Sequence, residues 1–111
     1  MLTKIDTFEQ FEDVLKKDEP FFLLKHSITC PISDAAYKEY EKFSGEDESV
    51  PTYYLAVQEA RPLSIEIAEK FEIKHESPQV LLFNKGEAVW NTSHWKITNK
   101  SLKTAKVENN L

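Results

Sequence analysis

The sequence is poor in cysteine and glycine, with one cysteine and two glycines among 111 residues. A single thiol cannot form an internal disulfide, so disulfide bonding contributes nothing to this fold. Cys30 is therefore either a small buried residue or a functional group. The length predicts a single domain over residues 1–111, and the 41% of apolar residues is enough for a real core.

Long apolar runs and an excess of basic charge are also missing. The longest apolar runs, residues 21–24 and 80–83, are far shorter than the roughly 20 residues of a membrane-spanning helix. The N-terminus has no apolar stretch of signal-peptide length. Fourteen basic residues stand against 19 acidic ones, with no basic cluster to neutralise a phosphate backbone. We expect a cytosolic protein with neither a membrane nor a nucleic acid as partner.

The residues that are present alternate between helical and strand patterns. Thr7 and Gln10 form a capping-box pattern at the start of the first helix. The polar, acidic composition of residues 44–49 predicts a solvated connector between the second helix and the second strand. Apolar spacing and proline positions predict helices over residues 8–17, 31–44, 63–71 and 100–108, and strands over residues 21–26, 52–57, 79–83 and 88–91. This order describes a small α/β domain with a mixed sheet.

Cys30 lies where a buried strand gives way to a helix, and Pro31 suits the first helical turn. The free N–H groups of a helix start carry partial positive charge, which favours a thiolate there. Lys25 and His26 precede the loop and add positive charge, and Ser33 follows at a spacing that directs its hydroxyl toward the sulfur. We therefore predict a reactive thiol, although a lone cysteine is more often a small buried residue without a chemical role.

Pro78 opens the apolar strand over residues 79–83. Proline cannot donate a ladder hydrogen bond, so the first residue of a strand is a usual place for it. A cis Ser77–Pro78 bond is the alternative, and cis bonds make up only about one in twenty X–Pro bonds. From the residues alone both interpretations stay open.

Three features together resemble a thioredoxin-like fold: the α/β order, the motif of residues 30–33 at a helix start, and the Ser77–Pro78 pair before a strand. More specifically, they resemble the monothiol bacilliredoxin family. The resemblance extends over nearly the whole chain and is carried by residues 25–33, 51–55, 57–61, 75–79 and 93–98. It implies a thioredoxin-like α/β domain with a mixed four-strand-type sheet flanked by helices. It also implies that Cys30 is the redox cysteine, that Ser33 replaces the resolving cysteine of dithiol relatives, and that Pro78 is a cis-proline beside Cys30.

The activity implied by the resemblance is removal of bacillithiol from S-bacillithiolated cytosolic proteins. Bacillithiol is then a co-substrate, and no tightly bound cofactor or metal is expected. Because a serine cannot resolve a mixed disulfide, bacillithiol or a reductase-coupled thiol must regenerate Cys30. The catalytic candidates are Cys30, Ser33 and Pro78. The substrate-binding candidates are Thr29, Pro31, Ser77, His26 and Arg61, the last for a carboxylate of bacillithiol.

Two other classes of function remain open at this point. A monothiol thioredoxin-fold protein can carry an iron–sulfur cluster across a dimer, but Pro31 makes the loop stiffer than the glycine of cluster-carrying glutaredoxins. A non-catalytic binding module is the third possibility. Among the remaining residues, His75 is a tuning or substrate group or a plain loop histidine. We expect Trp90 in the core, with His94 and Trp95 covering the core edge.

Overall fold

The computed structural model describes residues 2–111 and contains the predicted elements plus one more strand. The elements are β1 (Leu2–Lys4), α1 (Phe8–Leu15), β2 (Phe21–His26), α2 (Pro31–Glu46), β3 (Thr52–Ala56), α3 (Arg61–Phe71), β4 (Gln79–Asn84), β5 (Glu87–Ser93) and α4 (Asn99–Glu108), with a 3-10 turn over His94–Lys96 before α4. Four strands were expected and the sheet has five. The missed strand, β1, is three residues long, too short to show an alternating pattern.

The strands form one mixed sheet in the order β1-β3-β2-β4-β5. β1 and β2 both run parallel to β3, whereas β4 is antiparallel to β2 and to β5. The two-residue turn between β4 and β5 has positive φ at Lys85 and at Gly86, as a tight hairpin turn requires. In this strand order β2 lies at the centre of the sheet, as its continuous apolar sequence predicts.

Alternate side chains of β2 enter two separate cores. Phe21 and Leu23 pack with α1 and α3 on one face of the sheet. Phe22 and Leu24 pack with α2 and α4 on the other face. Trp90 is half-buried at the edge of the second core, with its ring centroid 6.4 Å from that of Phe22. Within residues 2–111, no helix combines the length and apolar character that a membrane crossing requires.

The predicted helix starts are largely confirmed. Thr7 Oγ1 accepts a hydrogen bond from the Gln10 N–H at 3.2 Å, and Gln10 Oε1 accepts one from the Thr7 N–H at 3.1 Å. A second capping box, between Thr98 and Ser101, opens α4 and was not identified in the sequence. α1 ends at Leu15 rather than at residue 17, and Asp18 just beyond it has a positive φ of 58°.

The interpretation of residues 44–49 as a solvated connector is wrong for residues 44–46, whereas residues 47–49 do belong to the connection between α2 and β3. α2 continues through Glu46, and Ser44 is buried with its hydroxyl 2.7 Å from that of Thr52. Glu46 Oε1 accepts a hydrogen bond from Lys103 at 2.8 Å, and the Asp47 carboxylate pairs with the Lys106 ammonium. The acidic residues thus join the end of α2 to α4, and composition alone does not reveal their basic partners.

Candidate active site

Three loops meet at one edge of the sheet. β2 and β3 are parallel with His26 opposite Ala56, so the loops that follow them, residues 27–30 and 57–60, leave from the same edge. β4 is antiparallel to β2 with Lys25 opposite Gln79, so the loop before β4, residues 74–78, arrives at that edge. The topology therefore brings the segments of Cys30, Arg61 and Pro78 to one end of the molecule.

Cys30 is the residue that caps α2. Its backbone is extended, with φ of −111° and ψ of 123°, and its carbonyl accepts the Asp34 N–H at 3.0 Å. Pro31 occupies the first turn and leaves one fewer N–H group to satisfy. Cys30 is partly exposed, and Thr29 beside it is exposed. Cys30 thus begins a 16-residue helix, and its side chain makes no hydrogen bond that caps the helix.

Ser33 is fully buried one turn into α2. Its hydroxyl oxygen accepts the Ser27 N–H at 2.7 Å and lies 2.9 Å from His26 Nδ1. The sequence predicted that this hydroxyl turns toward the Cys30 sulfur. In the described part of the chain it bonds to Ser27 and His26 instead, since these groups lie on the inner side of α2 where the buried serine points.

His26 ends β2 on the α2 side of the sheet. Burial lowers the pKa of its ring, and the negative charge of Asp34 opposes that shift. The ring centroid lies 4.8 Å from that of Tyr37. Near neutral pH the ring is therefore mostly neutral, so Nδ1 can accept the Ser33 hydroxyl proton in the tautomer that protonates Nε2.

Lys25 does not join this group. Its side chain is completely buried on the α3 side of the sheet, where the ammonium donates to the Ser64 carbonyl at 3.0 Å. Neighbouring residues of a strand point to opposite faces, so Lys25 and His26 diverge. The expectation that both add charge beside Cys30 is wrong for Lys25, and the mostly neutral His26 ring adds little charge near neutral pH. Burial lowers the pKa of the Lys25 ammonium to about 8.

His75 and Arg61 form the α3 side of the same edge. His75 Nδ1 lies 3.1 Å from Ser64 Oγ and 3.4 Å from Lys25 Nζ. Desolvation lowers the pKa of the His75 ring, and the positive charges of Lys25 and Arg61 lower it further. Arg61 is exposed at the first position of α3. Lys25 and Arg61 bring positive charge to His75 and Glu76 brings negative charge.

The Ser77–Pro78 peptide bond is cis. Pro78 is buried, and its carbonyl accepts the His94 N–H at 3.0 Å, which ties the loop before β4 to the turn after β5. Within residues 2–111, the buried Ser77 hydroxyl oxygen has no hydrogen-bond partner.

Trp95 was expected to cover the core edge and is instead 69% exposed, because the turn over His94–Lys96 directs it outward.

Gln58 is the residue whose role at this edge the sequence did not reveal. It follows β3 and makes three hydrogen bonds to the loop that precedes Cys30. A polar residue directly after a buried strand was the available signal, but the sequence does not show which loop it contacts.

Solved structures define the class to which this fold and site belong. A protein described as a candidate oxidoreductase with a thioredoxin fold matches with a TM-score of 0.89 and 46% identity, over 95% of this chain and 93% of that one. Thioredoxin f2 of Chlamydomonas reinhardtii matches with a TM-score of 0.79 and 15% identity, over 98% and 96% of the two chains. Mitochondrial thioredoxin 3 of Saccharomyces cerevisiae matches with 0.76 and 15%, over 96% and 94%. The chain has a thioredoxin fold.

The family follows from a more specific match. The family model described as monothiol bacilliredoxin BrxC matches residues 3–102. The chain belongs to the monothiol bacilliredoxin family, as its sequence motifs indicated. This membership, and the likeness to a thioredoxin-fold oxidoreductase, make the chain a thiol–disulfide oxidoreductase.

Proposed function

We propose that this protein removes bacillithiol from S-bacillithiolated proteins through a mixed disulfide on Cys30. The observation that carries the proposal is the position of the only cysteine, partly exposed at the start of α2, with a serine at the place where a dithiol relative has its resolving thiol. Membership in the monothiol bacilliredoxin family supports the same chemistry.

The proposed first step is a thiol–disulfide exchange. The Cys30 thiolate attacks the bacillithiol sulfur of the modified protein, and a new bond forms between these two sulfurs. The bond between bacillithiol and the protein cysteine breaks, its electron pair leaves with the protein sulfur, and that thiolate takes a proton from water. No net oxidation or reduction occurs in this step.

Regeneration of Cys30 needs a second thiol from outside the chain. Ser33 has a hydroxyl group and cannot displace bacillithiol from sulfur. Free bacillithiol, or a thiol coupled to a reductase, attacks the adduct, forms a disulfide with the departing bacillithiol and releases the Cys30 thiolate. Bacillithiol therefore acts as co-substrate and not as a resident cofactor.

The residues that we propose contact the substrate lie on or next to the three loops around Cys30. Arg61 is exposed at the first position of α3, and its guanidinium suits a carboxylate of bacillithiol. Ser77 is proposed to contact an extended substrate through its backbone, because its hydroxyl oxygen is itself buried. The remaining proposed contacts with the modified protein and bacillithiol are His26, Thr29, Pro31 and the backbone around Pro78.

Intact-mass analysis tests the proposal directly. The protein is mixed with a model protein whose single cysteine carries bacillithiol, and both masses are followed with time. We expect one bacillithiol to move to the wild-type chain and none to move to Cys30→Ala, whose circular dichroism spectrum should be unchanged. Parallel reactions with glutathione and coenzyme A mixed disulfides test selectivity. Transfer by Cys30→Ala would refute the mechanism, and equal rates for all three thiols would refute bacillithiol as the specific co-substrate.

A further inference from the structure

Gln58 holds the segment that leads into Cys30. Its Oε1 accepts the Ile28 N–H at 3.1 Å, and its Nε2 donates to Ser27 Oγ at 2.8 Å and to Thr29 Oγ1 at 3.2 Å. One amide group thus bonds to three consecutive residues that lie 29–31 positions away in the chain. Both N–H groups of the amide and one lone pair of its oxygen are used, which fixes the orientation of the amide plane.

Gln58 is itself well placed to act as an anchor. The preceding residue, Val57, donates its N–H to the His26 carbonyl at 2.8 Å, which extends the pairing of β2 and β3 to the point where Gln58 begins. The next two N–H groups, of Glu59 and Ala60, both donate to the Ala56 carbonyl at 2.9 Å. The backbone on either side of Gln58 is therefore held by the sheet edge and by a tight turn.

The anchored segment has few other supports. The Ser27 N–H bonds to Ser33 Oγ, and the Cys30 N–H makes a long bond of 3.4 Å to the Ser27 carbonyl. Ile28 is exposed, with 52% of its surface accessible, so packing does not hold the loop in place. Without Gln58, the bond from the Ser27 N–H to Ser33 Oγ and the long bond from the Cys30 N–H are the hydrogen bonds left in this segment, and Ile28 and Thr29 lose their ties to the end of β3.

We infer that Gln58 is a positioning residue for Cys30, because its amide fixes the segment 27–29 and with it the approach of the thiol to a disulfide. The inference rests on the exchange reaction proposed above. Attack on a disulfide requires the sulfurs to align, and a displacement of about 1 Å can lower a rate by up to about 100-fold. Gln58 touches neither sulfur and acts through the loop alone.

Three substitutions separate the contributions of the amide. Gln58→Met keeps the length of the side chain and loses all three bonds, and Gln58→Ala removes the side chain. Gln58→Glu retains an acceptor for the Ile28 N–H and loses the two donors. Glu66→Gln, an exposed change on α3, is the control. With the bacillithiolated model protein as substrate, we expect Gln58→Met and Gln58→Ala to lower the maximal single-turnover rate about tenfold, with an intermediate loss for Gln58→Glu.

Two further readouts distinguish positioning from a general loss of structure. Hydrogen exchange of the Ile28 amide should accelerate at least tenfold in Gln58→Met, whereas exchange of the Val57 amide, which bonds to the His26 carbonyl, should change less than twofold. The substrate concentration at half-maximal rate should also change less than twofold. Ser27→Ala combined with Gln58→Ala should lose less rate than the product of the two single losses, since both remove one shared bond.

Each other outcome overturns the inference or the proposed function. A rate for Gln58→Met within twofold of wild type, despite faster exchange at Ile28, would show that loop order does not limit the reaction. Faster exchange throughout the chain would assign Gln58 a general structural role. If wild type accepts no bacillithiol, the proposed function fails. Reaction of Cys30 with a small aromatic disulfide then still decides the role of Gln58, which is refuted if that rate is unchanged in Gln58→Met.

Discussion

The buried Ser33 hydroxyl and the half-buried His26 ring form a pair, with Oγ and Nδ1 separated by 2.9 Å. The same oxygen accepts the Ser27 N–H at 2.7 Å, so Ser33 joins the first turn of α2 to the end of β2 and to the loop between them. Ser33, which we propose stands where dithiol relatives have a resolving thiol, thus holds these three segments together. Its hydroxyl is not simply an inert replacement for sulfur.

Ser33→Ala should lower the free energy of unfolding by about 1–2 kcal/mol, because it leaves the partly buried Ser27 N–H without an acceptor. Urea denaturation followed by circular dichroism measures the change. The matched control is Thr104→Ala on the exposed side of α4, which should change stability by less than about 0.5 kcal/mol. Equal stabilities for Ser33→Ala and wild type would mean that this hydrogen-bonded group contributes nothing to the fold.

The lowered pKa of the buried Lys25 ammonium predicts that the stability of the fold changes with pH in the alkaline range. The folded pKa of about 8 lies below the ordinary 10.5, so between these values the unfolded chain binds more protons than the folded chain. Stability therefore rises with pH across this window, as the cost of the buried ammonium is removed. The whole effect is about 3 kcal/mol, as an upper estimate.

Lys25→Met removes that titration and tests the sign. At pH 7 we expect the variant to be at least as stable as wild type, with an advantage that shrinks as the pH rises from about 8 to about 10. Lys74→Met, at an exposed position, should leave the pH profile of wild type unchanged. A constant difference between Lys25→Met and wild type over this range would contradict a lowered pKa for Lys25.

The lowered pKa of Asp47, which pairs with Lys106, predicts that the fold loses stability in acid. Hydrogen bonds from Lys106 and from Ser49 lower the pKa of Asp47 from 3.8 to about 2. A lowered carboxyl pKa contributes stability above the unfolded value, and the contribution disappears as the pH falls from about 4 to about 2. Asp47→Asn should cost about 1 kcal/mol at pH 7 after allowance for solvent screening, and progressively less as the pH falls through about 2.

Unfolding of Asp47→Asn and of wild type at a series of pH values measures this difference. Glu48→Gln, at the exposed neighbouring position, serves as the control because it changes the charge equally and should leave the acid profile unchanged. The ion pair would be energetically unimportant if Asp47→Asn and Glu48→Gln gave the same profile.

The elements that the sequence predicted well are those whose own residues carry the signal. The four apolar residues at the start of β2 cannot be placed in a solvated element, and the side chains of Thr7 and Gln10 define the start of α1 without help from elsewhere. β1 was missed because three residues show no periodicity, and only its pairing with β3 makes it a strand. Local patterns therefore predicted the architecture but not all of its strands.

At the site, position along the chain was predictable and side-chain direction was not. Cys30 and Pro78 were singled out from their places at the ends of strands, where the structure brings their segments to one edge. The direction of Lys25 depends on the face of β2 to which it belongs, and the bonds of Gln58 depend on contacts across about 30 residues. Such facts come from tertiary packing, which a single sequence does not record.

The last prediction concerns Ser33→Cys, which supplies the missing second thiol. Residues three apart on a helix have Cβ atoms about 5–6 Å apart, and a rotation of the side chain away from His26 brings the new sulfur toward Cys30. We therefore expect Ser33→Cys to expel bacillithiol from Cys30 without an added thiol and to accumulate an internal disulfide, while wild type keeps its adduct. Intact mass separates the two states, because the adduct adds one bacillithiol and the internal disulfide removes two hydrogens. Ala35→Cys also places a second thiol on α2, but on a side that turns away from Cys30, and it should keep the adduct. A stable adduct beside a free thiol in Ser33→Cys would show that the contacts of residue 33 with His26 and Ser27 hold its side chain away from Cys30.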